Sequence, residues 1–264
     1  MAHRLKDRAI IALSGADTRT FLQGIVTNNV DAATPGKPVY AALLTPQGKI
    51  LFDFLIVDDG AGNLLLDCLA SAREALMKRL TLYRLRAKVE IKPRDDLAVF
   101  ASWDGTPLPG VAFDDPRLPA LGQRSVAPMA DGSDGYLAHR LALGIPEGPD
   151  FGSDKTFALD AGLDELHGVA FDKGCYVGQE LTARMKHRGT ARKRILPVES
   201  TDKSALTVGA DLRAGGHSIG EVVSVYDSRG FALVRLDRLE DAGAAPIDAA
   251  GVMVHMTKPD WLSA

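Results

Sequence analysis

Phe171-Asp-Lys-Gly-Cys-Tyr-Val-Gly-Gln-Glu-Leu-Thr-Ala-Arg-Met-Lys-His-Arg188 is the stretch from which the rest of the sequence is best read. Gly174 and Gly178 frame a turn, and Gln179–Lys186 is built of good helix formers, so the spacing predicts a turn that feeds a helix. Cys175 then falls near a helix N-terminus and two residues from Lys173. The positive helix end and the ammonium both favour a thiolate. The competing reading is a buried structural cysteine, the common fate of a free thiol. Spacing alone supplies no general base. The basic run Arg184, Lys186, Arg188, Arg192, Lys193 and Arg194, with His187 inside it, suits a solvated face, an anionic ligand tail or an acidic partner.

Upstream of this stretch, strand and helix signals alternate. Asp17 is placed to cap a helix carrying Phe21, Leu22, Ile25 and Val26. Val39–Thr45 and Ile50–Val57 read as strands joined by the turn Pro46–Lys49, and Leu64–Leu69 as a third. Ser71 and Glu74 have capping-box spacing before Leu76, Leu80, Tyr83 and Ala87, which predicts a helix of about four turns. Val89–Ile91 and Leu97–Trp103 follow as strands, while Asp104–Pro119 and Gly144–Ser153 read as loops. Downstream, Ile219–Tyr226 and Phe231–Leu236 form a hairpin across Asp227–Gly230. The pattern predicts an α+β body over residues 1–194, divided into two subdomains, and a small all-β domain over 195–264.

Composition narrows the function. With 264 residues, 46% apolar and 25% charged, the chain can bury a full core and is not disordered. Its net charge of −3 argues against general nucleic-acid affinity. No apolar run is long enough to cross a bilayer, and the start of the chain does not read as a signal peptide. Cys68 and Cys175 are too few for a disulfide framework or a cysteine-rich zinc site, and no metal-ligand spacing occurs. These features predict a cytoplasmic monomer with no membrane or nucleic-acid partner.

Lys173-Gly-Cys-Tyr-Val-Gly-Gln-Glu180, followed by Arg184, resembles the K-G-C-[YF]-x-G-Q-E-x-x-x-R signature of the YgfZ-type folate-binding proteins. These belong to the aminomethyltransferase (T-protein) superfamily, which includes mitochondrial iron–sulfur cluster assembly factors. Leu13–Asp17, Phe21–Asn29, Thr45–Ile50, Tyr83–Val89, Asp115–Arg124 and Gly144–Gly148 are similar to further blocks of that family, in family order.

The resemblance implies an interleaved α+β body with a central channel for tetrahydrofolate or another reduced folate, and a C-terminal β-barrel. It places Asn28, Asp53, Tyr176, Gln179 and Arg184 at the folate, and it gives chemical roles to Cys175, Lys173 and Asp53. Each choice has a plainer alternative: Asn28 as a turn residue, and Asp53 as the outward polar member of a strand. One departure is Phe157-Ala-Leu-Asp-Ala161, where relatives show F-P-x-E-A, so no pterin contact is assigned to Asp160. The implied function is a folate-binding accessory to the assembly or repair of iron–sulfur proteins, with client or assembly proteins as partners. Two alternatives stand beside it: a folate-dependent aminomethyl or one-carbon transferase using Asp53, and a silent scaffold.

Overall fold

The computed structural model describes residues 2–189 and 192–262. The chain begins with β1 (His3–Arg4), β2 (Arg8–Ser14), helix α1 (Thr18–Gln23), β3 (Val39–Leu44), β4 (Ile50–Asp58) and β5 (Leu64–Leu69). Helix α2 (Arg73–Arg84), β6 (Glu90–Pro93), β7 (Leu97–Ser102), β8 (Val111–Asp114) and β9 (Gln123–Pro128) follow. Three helices come next: α3 (Tyr136–Ala142), α4 (Gly148–Phe151) and α5 (Gln179–Arg188). The remainder is β10 (Lys193–Ser200), β11 (Asp211–Ala214), β12 (His217–Tyr226), β13 (Arg229–Arg235), α6 (Leu236–Ala242), β14 (Ile247–Ala249) and β15 (Val252–Met256).

These strands form a five-stranded sheet in the order β3-β4-β5-β2-β6, a four-stranded sheet β1-β7-β9-β8, and a closed six-stranded barrel. The first strand of the chain pairs with β7 in the second sheet, so the two halves of the body interleave. The five-stranded sheet is covered on both faces. One carries Leu22, Leu76 and Leu80 from the helices, and the other carries Tyr40, Leu55 and Phe151 toward the centre. This explains why β3 is a continuous apolar run, buried at all six positions, rather than an alternating one. The α+β body with a terminal barrel is therefore as expected.

Several local expectations give way. Asp17 does not cap α1 with its side chain; its carboxylate accepts from Lys88 N at 2.7 Å and ties α1 to the end of α2. Ser71 forms no capping box, because the 3-10 turn Ala70–Ala72 brings the chain into α2 instead. That helix stops at Arg84 rather than continuing to Ala87. The stretch read as one loop from Asp104 contains edge strand β8, and the one from Gly144 contains α4 with a real capping box between Glu147 and Asp150. The C-terminal region is not purely β, since α6 interrupts it. The barrel is fastened to the body by Trp261 Nε1 donating to Leu143 O at 2.9 Å, and by Ser224 and Tyr226 on Asp150.

Candidate functional site

The Cys175 turn is held from inside by nearly every other residue of its motif. Lys173 Nζ donates to Gln23 O, Val26 O and Asn28 O at 2.8, 2.7 and 2.9 Å. An ammonium has three protons, and here all three are spent on carbonyls at and just beyond the C-terminal end of α1, where a cation is favoured. Burial lowers the pKa of Lys173 to about 8, which still leaves it protonated at neutral pH. Its hydrogen bonds make it a positioning residue for the turn. Tyr176 is buried in the central core, and Val177 packs on the helix side of the five-stranded sheet. Gly178, at φ +82°, lies so close to the Pro46–Lys49 turn that a Cβ there would come within 2.5 Å of Thr45 O. Thr182 Oγ1 completes the turn by donating to Gly178 O at 3.1 Å.

Cys175 itself is exposed. It precedes the helix cap Gly178 by three residues, so it sits on the turn and not in the first turn of α5. Cys68 is the opposite case, buried in β5 with its thiol pushed up to about 12 by desolvation. The half-buried Gln179 and the exposed Glu180 begin α5, and Arg184 pairs with Glu180 at 2.6 Å across one helical turn. Arg184 therefore stands on the surface, committed to its own helix.

Asn28 and Asp53 are brought together through Tyr40. Asn28 Nδ2 donates to Tyr40 O and His167 O at 2.7 and 2.6 Å, and its Oδ1 accepts from Asn29 N. Its side chain is thus engaged by protein on both N–H groups. The Tyr40 hydroxyl reaches Asp53 Oδ2 at 3.1 Å. A line of contacts runs from Lys173 through Asn28 and Tyr40 to Asp53, while Gln179 and Arg184 stand apart from it.

Asp53 is 4% exposed and borders a cavity of about 330 Å³ walled by Phe52, Leu69, Pro149 and Phe151. Its Oδ1 lies against Gly148, where an added Cβ would approach to 3.1 Å. Burial raises the Asp53 pKa, and Arg8 only partly offsets this. An apolar slot with one buried carboxyl suits a flat heteroaromatic ligand that presents N–H donors.

The sequence reading missed the largest polar feature. Arg8, Arg117, Arg124 and Arg140 meet Asp67, Asp115, Glu147 and Asp150 in the middle of the body, all at most 8% exposed. Asp67 joins Arg8 and Arg124 at 2.7 and 2.8 Å, and Asp115 joins Arg124 and Arg117 at 2.8 and 2.7 Å. Glu147 takes Arg117 at 2.6 Å and the Tyr136 hydroxyl at 2.6 Å, and Asp150 takes Arg140 at 2.8 Å. The surrounding guanidiniums hold the Glu147 carboxyl well below its ordinary range. Four guanidiniums face four carboxylates here, so the network is neutral when Asp53, the fifth acid, keeps its proton. The middle of the body, where the resemblance puts an open channel, is occupied by this network; the space beside Asp53 adjoins it. Asp160 lies elsewhere, buried near Arg194 and Lys193 at the start of the barrel, with its carboxyl pushed up to about 6.

The architecture, compared with solved structures, is an aminomethyltransferase-like fold. It is similar over 99% of this chain and 86% of the other to the glycine cleavage system aminomethyltransferase T from Bartonella henselae, with TM-score 0.75 and 15% identity. Residues 192–264 match the family described as "CAF17, C-terminal beta-barrel domain". Among curated relatives, the human mitochondrial iron–sulfur cluster assembly factor IBA57 is 33% identical, over 98% of this chain and 84% of its own length. The Neurospora crassa homologue is 36% identical over 74% of this chain, which spans about half of that relative's length. The chain thus has an aminomethyltransferase-like fold with a CAF17-type C-terminal barrel domain. Within that class, the chain belongs to the IBA57 family of iron–sulfur cluster assembly factors. The YgfZ-type resemblance is narrowed accordingly. The cytoplasmic expectation is overturned, because these relatives are labelled mitochondrial.

Proposed function

We propose that this chain assists iron–sulfur cluster assembly by presenting Cys175 to a cluster-bearing client or assembly protein. The observation that carries this reading is the division of labour in Lys173–Glu180. Lys173, Tyr176 and Gly178 build the turn, and Cys175 is held outside it. One exposed thiol cannot hold a cluster that needs four thiolate ligands, so the remaining ligands come from the partner. The buried Cys68 takes no part.

Reduced folate is the ligand we assign to the Asp53 cavity. Phe52, Leu69 and Phe151 wall its aromatic part, Asp53 accepts its N–H donors, and Tyr40 orients Asp53. Bound folate supplies a one-carbon carrier or a binding signal; the residues here hold and orient it. Micromolar affinity, roughly −8 kcal/mol, is expected by calorimetry, and Asp53→Ala should weaken it about tenfold through loss of the anchoring carboxyl. The test of function is complementation. Cys175→Ser should fold and bind folate normally yet fail to restore iron–sulfur enzyme activity in cells lacking the protein. Full restoration by Cys175→Ser would refute the proposal.

A further inference from the structure

The C-terminal half of α2 and the turn that follows it form a second exposed feature, remote from the Asp53 cavity. One face of α2 places Leu76 and Leu80 in the core at 0% exposure. The other leaves Leu82 65% and Leu85 85% exposed. Leu85 has φ +47° and ψ −108°, a backbone region that L side chains rarely enter and glycine enters freely. The turn is fixed there from both sides. Lys88 N donates to Asp17, Arg84 Nη1 donates to Val89 O, and Gly15 leaves no room for a Cβ against Lys88 O. A leucine is thus held out in water at a position where glycine would be relaxed.

Charge is distributed unevenly around these leucines. At the start of α2 and along β6 the cations are neutralised: Arg73 by Asp95, Lys92 by Glu90, and Arg94 by Asp96. Around the leucines, Lys78, Arg79, Arg86 and Lys88 form no ion pair with a carboxylate among the described residues. Glu74, on the first turn of the helix and one turn before Lys78, lines the same recess as Lys78 but forms no ion pair with it among the described residues. Between α2 and β6 a shallow recess of about 480 Å³ opens over Arg73, Glu74, Met77, Lys78, Thr81 and Pro93.

We infer that the α2 face centred on Leu82 and Leu85 docks an acidic amphipathic helix of another protein. Apolar side chains of that helix meet the two leucines and the recess, and its Asp and Glu residues meet the four unpaired cations. A bilayer is a poorer occupant, because α2 offers two exposed leucines and its other face is locked in the core. The inference is independent of both Cys175 and folate.

The test uses the full chain and a fluorescein-labelled synthetic helix of about 18 residues, with Leu on one face and Glu on the other. Anisotropy should show saturable binding that weakens with salt, and none to the same helix with Lys in place of Glu. Leu85→Gly should weaken binding roughly tenfold while leaving Tm unchanged or higher, which a purely structural leucine would not do. Arg86→Glu combined with Lys78→Glu should abolish binding with Tm unchanged. Equal affinity for Leu85→Gly and wild type would overturn the inference. So would binding to anionic phosphatidylglycerol vesicles in place of the acidic helix, or a dimer in sedimentation that Leu85→Gly dissolves.

Discussion

At the centre of the body, Arg8, Arg117, Arg124 and Arg140 are buried and each is met by a carboxylate; at the turn over residues 173–180, one thiol is left facing solvent while Lys173, Tyr176 and Gly178 build the turn. Both regions are polar and both come from stretches that resemble family blocks. They differ in what their groups are free to do. A buried guanidinium surrounded by carboxylates cannot move or exchange partners without a large cost, so it fixes geometry. An exposed thiol on a fixed turn stays accessible to solvent. In the core of this molecule the buried charged residues hold positions, whereas the thiol on the turn is left accessible.

The contrast can be broken hardest at Arg124, which touches Asp67, Asp115 and Glu147. Arg124→Leu takes one guanidinium from each of these carboxylates, leaving Asp67 with Arg8 and Asp115 and Glu147 with Arg117, and losing one partner from a buried charge network costs about 3–5 kcal/mol. Urea unfolding should register that loss. A cost under about 1 kcal/mol would mean that the network is not what holds the two sheets in place.

Next in size is Lys173→Met, which leaves three carbonyls at the end of α1 without their donor. The expected loss is about 2 kcal/mol, together with a changed alkylation rate at Cys175, because the same ammonium anchors the turn. If stability falls but the alkylation rate stays as in wild type, Lys173 supports α1 without positioning the thiol.

Asp53 gives a smaller effect with a distinctive sign. Its folded-state pKa is raised, so above about pH 3.9, where the unfolded carboxyl loses its proton, the folded protein binds more protons than the unfolded chain. Its contribution to stability therefore falls as pH rises from there through the folded pKa. Glu147, with a lowered pKa, gives the opposite slope: its stabilisation is present above the ordinary carboxyl range and is lost on acidification. Asp53→Asn keeps the neutral form, and should flatten the decline on the alkaline side while leaving the acid limb unchanged. A stability–pH curve identical to wild type would show that Asp53 is ionised in the folded state and that the network carries a net negative charge.

Much of this organisation was legible in the sequence wherever one local signal decided it. The strands around Pro46–Lys49, the apolar run at Leu64–Leu69 and the C-terminal hairpin are set by periodicity and turn chemistry. Helix α3 escaped because its buried positions are Tyr136 and Arg140. An arginine on the inner face erases the apolar stripe that marks a helix. Arg124 in β9 reads as an outward polar residue for the same reason, and its partners Asp67 and Glu147 lie 57 and 23 residues away. Networks of this kind are tertiary, and no spacing rule foretells them. The motif itself was legible, but its internal logic was not: that Lys173 ties the Cys175 turn to the end of α1 follows only from where Gln23, Val26 and Asn28 sit in space.

The smallest expected effect on stability is at Cys175, and it is the sharpest test of the comparison. Cys175→Ser removes a side chain that makes no hydrogen bond among the described residues and lies outside the core. A surface change of this kind falls within about 0.5 kcal/mol. The thiol should nonetheless dominate the chemistry. In the native protein iodoacetamide should label Cys175 alone, because Cys68 is buried and desolvation pushes its thiol to about 12. Cys68 should become reactive only in urea, with the midpoint of unfolding. Mass spectrometry of the two tryptic peptides separates the sites. Native labelling of Cys68 at a rate comparable to Cys175 would show that β5 opens readily. The partition between a fixed interior and a free thiol would then fail at its simplest point.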